Sequence, residues 1–144
     1  MRFAFKYRKA IDKKGNRILR PEIEIKLVNG AKSQKAVALL DSGADTCYIP
    51  RALAERLGFE LKGKPTITKG VGGNIEVFDS TINIEISGGH EKALLENVPV
   101  TIPKEDGEIA WILLGRAAFF EYFEVHFRQA ADQIILKKAE ASPY

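Results

Sequence analysis

The feature that most restricts what this chain can fold into is an unbroken apolar run, Ala36-Val37-Ala38-Leu39-Leu40, ending directly on Asp41-Ser42-Gly43-Ala44-Asp45. A run with no polar alternation predicts a strand buried on both faces. A carboxyl group at the end of such a strand is costly to desolvate unless something holds it. Ser42 offers a hydroxyl, and Gly43 lets backbone amides approach the carboxylate. The stretch reads as an acid presented from a rigid core into a cleft. The competing reading is an ordinary strand-end turn, because Asp, Ser and Gly all favour turns.

A second unbroken run, Ala110-Trp111-Ile112-Leu113-Leu114, also ends on a glycine, in Gly115-Arg116. The two runs predict the central strands, with Trp111 in the core. Other apolar stretches alternate with polar residues and predict half-buried strands. These are Phe3/Phe5/Tyr7, Ile23/Ile25/Leu27, Ile75/Val77, Ile82/Ile84/Ile86 and Phe123/Val125/Phe127. The phase reverses between Val77 and Ile82, which predicts a bulge or bend near Asp79-Ser80. Thr66–Thr68, Ala93–Ile102 and Ile134–Leu136 complete the strands, with Pro99 marking a bulge or an edge. Asp12–Asn16, Gly70–Gly73 and Gly88-Gly89 are turns, and Lys104–Glu108 is an exposed loop. Pro50 to Leu57 predicts a short helix, with proline in its first turn, Leu53 and Leu57 on one face and Gly58 as the stop. Residues 116–121 predict a helical turn or short helix. The sum is one all-β domain over residues 1–144, mainly antiparallel, with one or two short helices.

Composition narrows the partners. The chain has 144 residues, 45% of them hydrophobic and 28% charged, as in an ordinary globular protein with a proper core. A formal net charge of +3, without single-sign blocks, gives no argument for nucleic acid. The single cysteine, Cys47, rules out an intrachain disulfide and a cysteine-based zinc cluster, and reads as a small buried hydrophobe. The N-terminal residues lack the apolar segment of a signal peptide, and no stretch is long enough to cross a membrane. The expectation is a soluble, cytoplasmic protein with no membrane or nucleic-acid partner. His90 and His126 lack a third ligand at metal spacing, so no metal and no cofactor is expected.

Three motifs, in order, carry a family resemblance. Ala38-Leu39-Leu40-Asp41-Ser42-Gly43-Ala44-Asp45 resembles the active-site segment of retropepsin-like aspartic proteases, in the Asp-Ser-Gly variant of the commoner Asp-Thr-Gly. Ile112-Leu113-Leu114-Gly115-Arg116 resembles the hydrophobic-hydrophobic-Gly segment, followed by Arg in retroviral-type members, that threads behind the catalytic loop. Gly70-Val71-Gly72-Gly73 sits where that family has its Gly-rich flap, and could otherwise be a plain hairpin turn. The likeness covers about residues 20–137; residues 1–19 have no counterpart in it.

The resemblance implies a retropepsin-like β-barrel whose site closes by homodimerisation, and an aspartic endopeptidase acting on protein or peptide. Such chemistry needs two carboxylates close enough to share one proton. This chain offers one Asp-Ser-Gly. Asp79-Ser80-Thr81 lacks the glycine, and Asp106-Gly107 follows no apolar run. The second acid would therefore be Asp41 of a second copy. By the same resemblance Ser42 would hydrogen-bond across the dimer, Gly43 would offer its carbonyl to substrate, and Asp45 would bind substrate backbone and pair with Arg116. Ala44 lies within this loop. Gly70, Val71, Gly72 and Gly73 would form the flap tip, and Leu113, Leu114, Gly115 and Arg116 the structural support. The rival is a retropepsin-fold dimer that binds peptide segments or a protein partner without cutting. An intact acid loop, which pure binding does not need, weighs against it.

Overall fold

A computed structural model describes residues 1–70, 73–107 and 109–140. The chain opens with β1 (Arg2–Phe5), followed by a hairpin of β2 (Arg8–Ile11) and β3 (Arg17–Arg20). The sequence predicts only the turn between them. The Asp12 carboxylate accepts the backbone N–H of Lys14 and of Asn16 at 2.9 and 2.8 Å. These bonds, that from Asn16 first, hold the Asp12 carboxyl below the usual range. Then come β4 (Glu22–Asn29), β5 (Lys32–Leu40), β6 (Cys47–Tyr48), α1 (Arg51–Arg56), β7 (Thr66–Gly70), β8 (Gly73–Gly88), β9 (Glu91–Pro103) and β10 (Ile112–Leu114). Strands β11 (Phe123–Arg128) and β12 (Gln133–Lys138) end the fold.

Strands β4, β5, β10, β6, β9 and β8 follow one another in hydrogen-bonded order, and β8 pairs back onto β4. Six strands therefore close into a barrel, which leaves no free edge among them. Strand β7 is added outside, paired with β8. A separate three-stranded sheet has the order β1-β12-β11, so the N-terminal strand is bound within its own chain, with Phe3 opposite Leu136. The alternating residues point inward as expected: Ile23, Ile25, Leu27, Ile82, Ile84 and Ile86 are all buried. Phe123 packs on Phe3 and Phe119, with ring centroids 6.1 and 5.3 Å apart, and joins the small sheet to the same core. Among the described residues no helix is long and apolar enough to cross a membrane.

Three expectations need correction. Strand β5 is not buried on both faces. Ala38 and Leu40 face the core, but Val37 is 38% exposed and Leu39 half-buried, because the outer face of the sheet is only partly covered by α1. Trp111 is not core either; it is 47% exposed, and only Ile112–Leu114 of that run forms strand. The inward face of β8 does change between Val77 and Ile82, yet the ladder to β9 runs unbroken through Asp79-Ser80. The irregularity lies between Ile82 and Ile84, opposite Asn97, which adopts φ 54° and donates its N–H to Asn83 Oδ1 at 2.9 Å. The helical turn expected over residues 116–121 is present at Arg116–Phe120, kinked where Ala117 and Ala118 leave helical geometry.

Candidate active site

The site grows out of a crossing of backbones. Strand β10 runs parallel to β5, with Ile112, Leu113 and Leu114 opposite Ala38, Leu39 and Leu40. On its other side Leu113 pairs antiparallel with Tyr48 of β6. The loop of residues 41–46 must therefore pass over the end of β10 to carry the chain from β5 to β6. The exit of β10 passes beneath that loop and is tied to it. Asp41 N–H donates to Leu114 O at 3.0 Å, Arg116 N–H to Ala44 O at 2.8 Å and Ala117 N–H to Asp45 O at 2.9 Å.

Gly115 is required here for space, not for dihedral freedom. A Cβ on it would overlap the Thr46 carbonyl and stand 2.9 Å from Ala44 O. The Leu113-Leu114-Gly115 motif thus has a physical reading: two strand residues, then the one residue small enough to slide under the loop. Arg116 continues the support. Its Nη1 donates to Ser42 O at 2.7 Å and its Nη2 pairs with the Asp45 carboxylate. The expected Asp45–Arg116 pair is present, but the guanidinium fork divides between a carbonyl and a carboxylate instead of gripping one carboxylate at two points.

Asp41 stands half-buried at the loop's start. Gly43 N–H donates to its Oδ1 at 2.9 Å, as the glycine predicts, whereas the exposed Ser42 hydroxyl makes no hydrogen bond to it among the described residues. Nor does any Lys or Arg pair with Asp41 among those residues. Behind the loop Cys47 is buried, and burial pushes its thiol up to about 11, against a weaker opposing effect of the Gly115 N–H donated to Sγ at 3.4 Å. A thiol so placed stays protonated and packs as a hydrophobe, as the sequence predicts.

The Gly70–Gly73 segment joins two paired strands. Gly70 lies opposite Gly73, and the ladder continues through Thr66 opposite Val77. Val71 and Gly72 lie outside the described residues. Ile67 is 69% exposed on this hairpin.

Sequence reasoning missed three supports. Thr46 and Thr101 share a hydroxyl–hydroxyl hydrogen bond of 2.8 Å that pins the end of the acid loop to β9. The Asp106 carboxylate accepts Arg51 and Ala52 N–H at 2.6 and 3.1 Å, capping α1 from the far side of the chain. Arg20 lies over the exposed ring of Trp111, 4.9 Å from its centroid. Each contact joins residues distant in sequence, and no local signal announces any of them.

Comparison with known proteins agrees with this geometry. The family model described as "Aspartyl protease" matches residues 24–118, which contain the whole crossing and the hairpin. Pol polyproteins of equine infectious anemia virus, from strain Wyoming and isolate 1369, are 41% identical over 71 residues. That match takes in 47% of this chain and only 6% of each polyprotein. Among solved structures, EIAV protease complexed with the inhibitor HBY-793 is 30% identical over 67% of this chain and 82% of its own, with a TM-score of 0.48. A retropepsin-like aspartic protease from Rickettsia conorii is 20% identical, with a TM-score of 0.60 over 94% of this chain and 91% of its own; this likeness is one of fold.

Proposed function

Since this chain belongs to the aspartyl protease family, in its retropepsin-like branch, we propose that it is an aspartic endopeptidase whose two catalytic acids are the Asp41 side chains of two copies. The observation that carries this reading is the crossing, which delivers one acid per chain to a solvent-facing loop, with no cation paired to it among the described residues. The other acids considered are occupied elsewhere. Asp79 sits within the β8–β9 ladder, Asp106 caps α1, and Asp45 pairs with Arg116.

Two carboxylates brought together on a two-fold axis cannot both ionise, so they hold one proton between them. The ionised member takes a proton from a water lying between them, and that water attacks the peptide carbonyl. The protonated member polarises the carbonyl oxygen, and the roles reverse as the leaving amine is protonated. Apparent pKa values then belong to the pair. Ser42 bonds across the interface, Gly43 offers its carbonyl and Asp45 its carboxylate to the substrate backbone. The hairpin closed by Gly70, Val71, Gly72 and Gly73 covers an extended peptide and excludes water. Leu113, Leu114, Gly115 and Arg116 hold the loop. Residues 1–144 act as one domain, in the cytoplasm, with a protein or peptide as substrate and a second copy as partner.

The test is a peptide-library digest by wild type and Asp41→Asn, with sedimentation across a dilution series. The variant should lose at least about a thousandfold in rate, and specific activity should fall as the dimer dissociates. Hydrolysis surviving in Asp41→Asn, or full specific activity in a sedimenting monomer, would overturn the proposal. Peptide binding without cleavage of any library member would favour a binding dimer instead.

A further inference from the structure

A groove of about 560 Å³ opens along the outward face of β5. Its floor is apolar: Val37 and Leu39 from β5, with Trp111 beside them. These are the same residues whose exposure departs from the sequence expectation. Its rim is cationic, with Arg8 and Arg20 from the β2–β3 hairpin and Arg56 from the end of α1. Glu22 is the one acidic residue of the lining.

The charges are arranged, not scattered. Arg8 and Arg20 stand directly opposite in the hairpin register, a placement that costs stability unless an anion lies between them. Glu22 is that anion: its Oε1 meets Arg20 Nε at 2.6 Å and its Oε2 faces Arg8 Nε at 3.5 Å. Its side chain is only 9% exposed, so it is committed to holding the two guanidinium groups in place. Arg56 has a neutral neighbour, with Nε 3.5 Å from Gln34 Oε1. One carboxylate thus faces three guanidinium groups, and the groove keeps an excess of positive charge over an apolar floor. Such a lining is complementary to an apolar peptide segment that carries a carboxylate.

The floor also leads to the site. Leu39 and Val37 precede Asp41 on the same strand face, and a strand advances about 3.3 Å per residue. An extended peptide lying along this face would place a side chain over the groove about two to four residues from the bond held at Asp41. We infer that the groove takes an acidic side chain of the substrate, so that the enzyme selects peptides bearing Glu or Asp at that distance from the cut; this rests on the proteolytic reading above. The β2–β3 hairpin, which lies mostly outside the family resemblance, is then the element that sets specificity.

The experiment compares kcat/KM for matched fluorogenic peptides that differ only by Glu, Gln or Lys at scanned positions. Wild type should favour Glu over Gln by about fivefold at low salt, with the ratio shrinking as salt rises. The Arg8→Gln/Arg56→Gln double variant should bring the ratio near one, and Arg56→Glu should turn the preference toward Lys. A wild-type ratio of one or below, a ratio insensitive to salt, or an unchanged ratio in the double variant overturns the inference. The wild-type salt series needs no variant to fold. A binding arm, measuring anisotropy of labelled acidic and neutral peptides on Asp41→Asn, separates the two levels. Selective binding without hydrolysis by wild type keeps the groove and removes the proteolytic reading. Hydrolysis without selection does the reverse.

Discussion

The crossing that carries Asp41 and the hairpin that closes at Gly70 and Gly73 differ in what holds each of them. The crossing has partners on every side. Strand β10 lies between β5 and β6, three backbone hydrogen bonds tie its exit to the loop above, and the Arg116 side chain reaches back to Ser42 and Asp45. The hairpin has one ladder. Among the described residues strand β7 pairs with β8 alone, and Ile67 on it faces solvent. Under the proposed mechanism Asp41 must meet its twin at a fixed distance, and it gains from over-determination, since small misplacements cost large factors in rate. The hairpin, in its proposed role as a cover over substrate, must open, and so belongs among elements with low opening energy. Substitutions in the first region should therefore report in global stability, and in the second in catalysis alone.

The sharpest way to break this contrast is Gly115→Ala. The added methyl meets the Thr46 carbonyl, and backbone cannot swing aside as a flexible side chain would. The expected cost is about 3–5 kcal/mol, read from the denaturant midpoint, or outright failure to fold. A loss below about 1 kcal/mol would show that the loop and the strand beneath it can part without consequence, and the contrast would lose its first half.

Arg116→Ala comes next. It removes the donor to Ser42 O and the partner of Asp45, yet the guanidinium is half exposed, so solvent screening limits the stability loss to about 1–2 kcal/mol. The activity loss should be larger in proportion, about 10- to 100-fold, because Ser42 and Asp45 belong to the loop that starts at the acid. Arg116→Lys should rescue little, since one ammonium cannot reproduce a divided fork. A lysine variant with full activity would mean that charge, not geometry, is what the loop requires.

Gly73→Ala probes the other region. Gly73 adopts φ 125°, which strains a side-chain-bearing residue by about 1–3 kcal/mol. Because the tip of the hairpin, beyond the Glu76 carbonyl that accepts the Lys104 N–H at 2.9 Å, is held among the described residues by the β7–β8 ladder, that strain should open the ladder locally and stop there. The expected result is an unchanged denaturant midpoint with kcat/KM down by about tenfold. A midpoint that falls with activity would show that the hairpin is part of the barrel's cooperative unit, and the comparison would collapse into one region.

The same contrast governs what could be read from the residues. The acid strand and the burial of Cys47 were legible from local marks, an apolar run and a lone thiol, whereas the glycine under the loop and the Asp45–Arg116 pair, 71 residues apart, came only through the family resemblance. The order β5-β10-β6 was not legible, since parallel pairing of distant segments has no local signature. Trp111 and Val37 read as core because apolar runs predict burial without saying that a face of the sheet stays uncovered. The β2–β3 hairpin announced its turn through Asp12 but not its strands, which are four residues each and rich in Arg and Lys. Asp106 as the cap of α1, and Asn97 as the irregularity in β9, required the long-range ladder to exist first.

The smallest predicted effect tests whether the rigid region is also a strained one. Just beyond Arg116, Ala118 adopts φ 66° and ψ −48°, in a region that side-chain-bearing residues rarely occupy, while the hairpin uses a glycine where its φ is positive. Ala118→Gly removes the Cβ clash, which is worth about 1 kcal/mol or more. It also frees the unfolded chain and deletes a half-buried methyl, which together offset roughly half of that gain. A net stabilisation of about 0.5 kcal/mol, with activity unchanged, would mean that the crossing is held tightly enough to keep an unfavourable turn at its exit. A destabilisation would locate the value of Ala118 in its packing and remove strain from the account of why this half of the molecule holds still.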